Sequence, residues 1–176
     1  MYRTLPEHFK PAFEVVGCFF EYERSEGAAK AGYERIRPQG GCREGGVEDA
    51  AKAGYEGNML LLHRNVGDSQ GDKWGVPAGK VERGEMLISA MVREIEEETG
   101  YKTQRNDISY FDTVYVEHPE GQFVYHMFSL SLQRKPDIII NPQEHQAFVW
   151  ISPLAALSLP LVADLDECIK RFYEIP

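Results

Sequence analysis

The run Gly79 to Tyr101, GKVERGEMLISAMVREIEEETGY, constrains this chain more than any other stretch, because it sets Glu94, Glu97 and Glu98 at i, i+3 and i+4 just after a glycine-rich segment. If the run is helical, all three carboxylates crowd onto one face. Like charges at that spacing destabilise a helix, and each carboxylate disfavours the ionised form of its neighbours. A cation among them removes both penalties. An all-oxygen donor set of this kind selects Mg²⁺ or Mn²⁺.

The same run carries an apolar stripe, Ile88, Met91, Val92, Ile95 and Thr99, at helical spacing. One side of the predicted helix is therefore buried while the glutamates line the adjacent side. Gly84 and Glu85 mark its start, and Gly100 suits the left-handed position after its last turn. Upstream, Trp74 to Lys80 (WGVPAGK) reads as a short strand entering a tight turn, where Gly79 lets a backbone carbonyl come close to a metal.

These residues resemble the Nudix box of the Nudix hydrolase family at every fixed polar or glycine position. Gly79 is followed by Glu85, then by Arg93, Glu94 and Ile95, Glu97 and Glu98, Thr99, Gly100 and Tyr101. Tyr101 stands where the family usually has an aliphatic residue. A pattern of 23 residues that fixes four glutamates is far more specific than a lone glycine motif. A merely solvated acidic face leaves Gly79, Arg93 and Gly100 unexplained. The resemblance implies an α/β fold, an α/β/α sandwich around a mixed β-sheet.

The chain has 176 residues, 43% of them hydrophobic, which is enough to bury the core of one domain. No stretch reaches the ~18 apolar residues of a membrane span. The first residues, MYRTLPEHFKPAFEVV, carry charges and prolines where a secretory leader needs an apolar run, so a cytoplasmic location is expected. Cys18, Cys42 and Cys168 are widely separated and form no metal-binding pair. Cys18 and Cys168 are expected in the core. The net charge of −9 argues against gripping nucleic acid by its phosphates. An acidic protein still acts on phosphate esters by placing a divalent metal between its carboxylates and the substrate oxygens.

Alternation and turn residues predict strands at Phe13–Tyr22, Asn58–Arg64, Ile108–Glu117, Gln122–Leu132 and Ala147–Ile151. Pro119 and Gly121 supply the turn between the third and fourth of these. Ser152 is a predicted N-cap with Pro153 at the first helical position, and a last helix is expected over Val162–Glu174, burying Leu165, Cys168, Ile169 and Phe172. The domain spans residues 1–176, with an insertion at about 23–57 between the first two strands. That segment repeats AAKAGYE at Ala28–Glu34 and Ala50–Glu56, with local helix expected around AAKAGYERIR. Its second half, from Pro38, aligns with the box from Pro77, but Gly46, Gly54 and Tyr55 replace Glu85, Arg93 and Glu94. A structural insertion is the preferred reading. The alternative is a lid closing with Tyr33 or Tyr55.

The resemblance implies that Glu94, Glu97 and Glu98 bind one to three Mg²⁺ ions, with the Gly79 carbonyl as a further ligand. Arg93 and Glu85 are expected to pair and to orient the loop, since a guanidinium is no base at neutral pH. The resemblance implies a general base from the box, as Glu94 or Glu98, or from a later loop, where Glu144, six residues before Trp150, stands at a position such a glutamate often takes in the family; the competing reading of Glu144 is a solvated loop residue. Arg64 and Lys80 are candidate phosphate contacts, although surface cations at strand ends are common. Trp74, Phe111 and Tyr115 could stack on a base, or belong to the core. His118, His126 and His145 lack metal-ligand spacing and read as surface or satisfied core residues, and His63 is unassigned.

The activity expected is Mg²⁺-dependent cleavage of a pyrophosphate bond in a nucleoside diphosphate derivative, such as the nucleotide sugar ADP-ribose, or in a nucleoside triphosphate. PAGK with EETGY resembles ADP-ribose pyrophosphatases, and DKW resembles triphosphate-type members. A non-catalytic Nudix module that binds a nucleotide or a protein is the alternative of another class, and the complete set of box carboxylates counts against it. An RNA 5′-end pyrophosphohydrolase rests only on PQGG at Pro38. The expected partner is a small nucleotide, with room for a homodimer and none for a membrane.

Overall fold

The computed structural model describes residues 1–23, 57–118 and 121–176. The repeat, Tyr33, Tyr55, Cys42, the expected local helix and Pro119 lie outside these residues. Among the described residues, seven strands form one mixed sheet: β1 (Phe13–Glu23), β2 (Gly57–Arg64), β3 (Trp74–Gly75), β4 (Ala78–Lys80), β5 (Ser109–His118), β6 (Gly121–Leu132) and β7 (His145–Ile151). The helices are α1 (Leu87–Thr99), α2 (Pro153–Ala156) and α3 (Leu165–Phe172).

The sheet runs β3-β2-β1-β6-β5, with β4 paired to β1 and β7 to β2. β1 and β6 are parallel from Phe13↔Phe123 to Tyr22↔Leu132, and the other pairs are antiparallel. Two-residue alternation sends the strands' apolar side chains to both faces. Val16, Cys18 and Phe20 of β1, Leu60 and Leu62 of β2, and Phe128 and Leu130 of β6 pack with Met91 and Ile95 of α1. On the other face Phe19, Met59, Leu61 and Met127 pack with Leu165, Cys168 and Ile169 of α3. The sandwich is α/β/α, as the resemblance implies, and Cys18 and Cys168 are buried.

Helix α1 forms where the apolar stripe predicts it, with Ala90, Met91, Ile95 and Thr99 buried. It begins at Leu87 after Met86, whose extended backbone offers no side-chain cap, so Gly84 (φ 81°) bends the loop upstream rather than opening the helix. Gly100 stops it in the left-handed conformation (φ 66°) and donates its N–H to the Glu96 carbonyl. Ser152 Oγ caps α2 by accepting from Ala155 N at 3.3 Å, with Pro153 in the first turn.

Two expectations change. The last helix is shorter than Val162–Glu174 because Asp164 (φ 63°) and Glu174 (φ 51°) both take left-handed backbone on either side of it. Gly79 lies within strand β4, in register with Val16, and not in a tight turn. Among the described residues, no helix is long and apolar enough to cross a membrane.

β1 and β2 pair antiparallel out to Glu23↔Gly57, so the ends of the expected insertion are adjacent. Loop length alone changes closure entropy slowly. Deleting Ser25 to Glu56 and joining the strands with a short turn is therefore expected to leave one cooperative thermal transition, with Tm within several degrees of the full chain. Loss of cooperative unfolding would show that the segment belongs to the core.

Candidate active site

Strand β4 and helix α1 build the site between them. Register sets Gly79 beside Val16, and α1 crosses the sheet so that the Glu94 carboxylate rests over the Gly79 Cα. A Cβ at residue 79 would occupy the space of that carboxylate. Glycine is needed here for close approach and not for a left-handed turn. One helical turn on, Glu98 is 2% exposed, and its Oε2 accepts the Ala78 N–H at 2.8 Å.

Arg93 ties the acidic residues together. Its Nε and Nη2 donate to the two oxygens of Glu85 at 3.0 and 2.9 Å, and Nη2 also donates to the Lys80 carbonyl at 3.0 Å. Its Nη1 donates to Glu94 Oε1 at 2.6 Å and to Glu97 Oε2 at 3.1 Å. The predicted Arg93–Glu85 pair is thus present and bidentate, and it anchors the loop before the helix. The arrangement holds the Glu85 carboxyl below its usual range, chiefly through the bonds from Arg93.

The predicted glutamates are not equivalent. Glu94 and Glu98 are buried, whereas Glu97 lies on the exposed flank of the helix. Burial pushes the Glu94 carboxyl up to about 7 against the lowering pull of Arg93, with the charges of Glu98 and Glu97 adding to the rise. Burial raises Glu98 as well, opposed by His145.

Glu144 joins them from the loop before β7. Its carbonyl accepts from Asn65 N at 2.9 Å, and its Oε1 accepts from Asn141 Nδ2 at 2.8 Å, while Ile139 N bonds the Thr99 carbonyl at the end of α1. This docking brings ligand atoms of Glu98, Glu144 and His145 within 4.8 Å of one another. His145, read from the sequence as a surface or satisfied core residue, is 3% exposed and donates from Nε2 to Glu98 Oε1 at 3.0 Å. Its buried Nδ1 has no hydrogen-bond partner among the described residues. The signal available in the sequence was adjacency to Glu144.

The softer candidates separate. Arg64, opposite His145 in the β2–β7 ladder, donates from Nε to the Ser69 carbonyl at 3.0 Å, at the same end of the sheet as Glu144. Lys80 Nζ lies 4.5 Å from the centre of the Phe13 ring. Tyr115 is not brought to the carboxylates. It sits on edge strand β5, its ring edge-on to Phe9 and its backbone paired with Tyr2. Trp74 stacks on His63 at 4.4 Å, Phe111 packs on Phe172, and His126 is buried between Thr113 and Glu14.

This geometry, two buried and crowded carboxylates, an exposed third, a fourth from a loop and a glycine that leaves room beneath them, fits a hard divalent cation held by oxygen. The NUDIX domain model matches residues 38–172. The chain belongs to the Nudix hydrolase family. It is 32% identical over 108 residues to a CTP pyrophosphohydrolase of Escherichia coli (strain K12), covering 60% of this chain and 75% of that protein. It is also 30% identical over 120 residues to an octanoyltransferase of Myxococcus xanthus, covering 67% of this chain but only 33% of that protein. In three dimensions it is similar to the Nudix domain of Shewanella oneidensis NrtR, solved with ADP ribose: TM-score 0.67, 16% identity, 97% of this chain and 92% of that one.

The raised carboxyl of Glu94 fixes the sign of a pH effect in this Nudix domain. A carboxyl raised on folding contributes stability that is full below its unfolded value near 4.5 and is lost as pH rises through about 7. The lowered Glu85 acts in the opposite sense, but below about pH 4.5. Metal-free protein is therefore expected to lose Tm between pH 5 and pH 8. Added Mg²⁺, which needs the ionised carboxylates, should raise Tm by more at pH 8 than at pH 5. Differential scanning fluorimetry in EDTA and in Mg²⁺ measures both, and an Mg²⁺ shift that is the same at the two pH values would contradict this assignment.

Proposed function

We propose that this Nudix domain hydrolyses a pyrophosphate bond of a small nucleotide, in a nucleoside triphosphate or a nucleoside diphosphate derivative. The observation that carries the reading is the cluster of Glu94 and Glu98, buried against β4 and held in place by Arg93 and His145. A binding module has no need to keep crowded carboxylates out of water at such electrostatic cost. The names of the similar proteins, a CTP pyrophosphohydrolase and a domain solved with ADP ribose, support the same substrate class.

Glu94, Glu97 and Glu98, with the Gly79 carbonyl, would hold Mg²⁺ or Mn²⁺. When bound, the metal supplies charge stabilisation at the phosphate oxygens and lowers the pKa of a coordinated water. Water attacks one phosphorus, the bridging P–O bond breaks, and the proton lost from the water passes to a carboxylate. Glu144 suits that step, being exposed yet beside Glu98. Arg93 and Glu85 act as positioning residues, because the guanidinium spends its donors on the three glutamates and the Lys80 carbonyl. Arg64, paired in the sheet with His145 next to Glu144, is the cation we assign to a phosphate.

Glu98→Gln keeps the shape of the side chain and removes its charge. Turnover with Mg²⁺ and nucleotide substrates is expected to fall by about 10²-fold or more, with cooperative unfolding retained. Release of phosphate or monophosphate at near wild-type rates by Glu98→Gln would remove Glu98 from the metal site.

A further inference from the structure

A cleft of about 790 Å³ lies beside the metal loop, between the start of β1 and the loop that leads into α1. Its lining includes Val81, Met86, Ile88, Tyr110 and Phe128, which give an apolar wall, together with Glu14 and the charged loop residues Glu82, Arg83 and Glu85. The Tyr110 and Phe128 rings meet edge to face at 5.4 Å. Such a wall suits a flat aromatic ligand.

Glu14 is held by a series of polar contacts that the pyrophosphate chemistry does not use. Its Oε2 accepts from His126 Nε2 at 2.8 Å. The opposite ring nitrogen, Nδ1, lies 2.9 Å from Thr113 Oγ, which in turn contacts the Tyr110 hydroxyl. Because a carboxylate only accepts, Nε2 donates; in the neutral ring Nδ1 then accepts from Thr113, and Thr113 accepts from Tyr110. The series is directed, and its last acceptor is Glu14. His126 is buried, but the Glu14 side chain is 50% exposed and borders the cleft, and among the described residues its Oε2 takes the His126 bond while Oε1 has none.

The register fixes where this acceptor stands relative to the reacting end. Glu14 and Val16 share a face of β1, and Val16 pairs with Gly79 beneath Glu94. Two residues of strand separate them by roughly 7 Å. Val81 N donates to the Glu14 carbonyl at 3.0 Å, which fastens the box loop to the same residue. A nucleotide whose phosphates meet the carboxylate cluster can thus lay its base in the cleft.

Resting on the functional reading above, we propose that Glu14, positioned by His126, Thr113 and Tyr110, selects nucleobases that carry an exocyclic amine. A carboxylate oxygen accepts from the N4 amine of cytosine or the N6 amine of adenine, and it repels the O4 carbonyl of uracil. One free oxygen suits a single amine. A base that presents two adjacent donors, as guanine does, would call on both.

The test measures kcat/KM of the full chain with Mg²⁺ for CTP, ATP, UTP and N4,N4-dimethyl-CTP, and repeats it for Glu14→Gln. The wild type is expected to favour CTP or ATP over UTP by about tenfold or more, the range of a specific polar contact to a base edge. The CTP and ATP arms tell a pyrimidine site from a purine site. In Glu14→Gln the amide oxygen keeps the His126 bond and turns the NH₂ toward the cleft, so the ratio of CTP to UTP should drop by about tenfold. Dimethylation removes the amine donors without touching the protein, and hydrolysis should fall by a similar factor. Wild-type turnover of CTP, ATP and UTP at equal efficiency, or of dimethyl-CTP as fast as CTP, would overturn the inference and leave pyrophosphate hydrolysis standing. Failure of the wild type to hydrolyse CTP, ATP and UTP would overturn the inference, and failure on ADP-ribose as well would overturn pyrophosphate hydrolysis with it.

Discussion

Arg93 is the residue on which the arrangement of the site depends. It stands among Glu85, Glu94 and Glu97, donates to all three and to the Lys80 carbonyl, and so converts a repulsive acidic array into a fixed one. Without the guanidinium, Glu94 and Glu97 would repel each other on adjacent turns, and the loop from Lys80 to Glu85 would lose its bidentate anchor. A lysine offers a point charge in place of the planar fork and cannot span these partners. The sheet, in turn, gives Arg93 its targets, because β4 is locked to β1 in the register that places Lys80 and Gly79 below the helix.

The carboxylates themselves divide by depth. Glu98 receives a backbone N–H and the His145 ring, so both of its oxygens have donors. Glu94 has Arg93 on one oxygen and the open face of Gly79 beneath it. Glu97 and Glu144 lie nearer solvent. Depth therefore sorts residues of one chemical type into a pair fixed by hydrogen-bond donors, Glu94 and Glu98, and a pair open to solvent, Glu97 and Glu144. The same division recurs at Glu14, where a buried histidine steadies an exposed acid.

Much of this was legible in the residues. The 3.6-residue stripe from Ile88 to Thr99 and Gly100 at its end follow from local spacing, which survives folding, and the Arg93–Glu85 pairing follows from the chemistry of a guanidinium that cannot act as a base. What was not legible depends on long-range register. Nothing in WGVPAGK says that the chain pairs with β2 as β3 and then with β1 as β4, so Gly79 reads as a turn residue until its strand partner is known. His145 reads as an ordinary strand histidine until the loop before β7 docks on the end of α1. Tyr115 looks like a stacking platform, but Tyr2 and Phe9 return across β5 to cover it. The shortened α3 is a local miss, since left-handed backbone at Asp164 and Glu174 is carried by residues with no glycine to announce it.

The parallel ladder between β1 and β6 has a consequence for the making of the protein. Residues Phe13 to Tyr22 find their neighbours at Phe123 to Leu132, about 110 positions later in the chain. At ~5–20 residues per second on the ribosome, β1 waits roughly 5 to 20 seconds for the strand that completes it. Phe20, fully buried at the end, meets Leu60 and Met91 within that interval, whereas Phe19, equally buried, waits beyond it for Phe172. Vectorial synthesis thus leaves β1 without its parallel neighbour until β6 is made, and β7 and α3, later still, complete the edge and the second face.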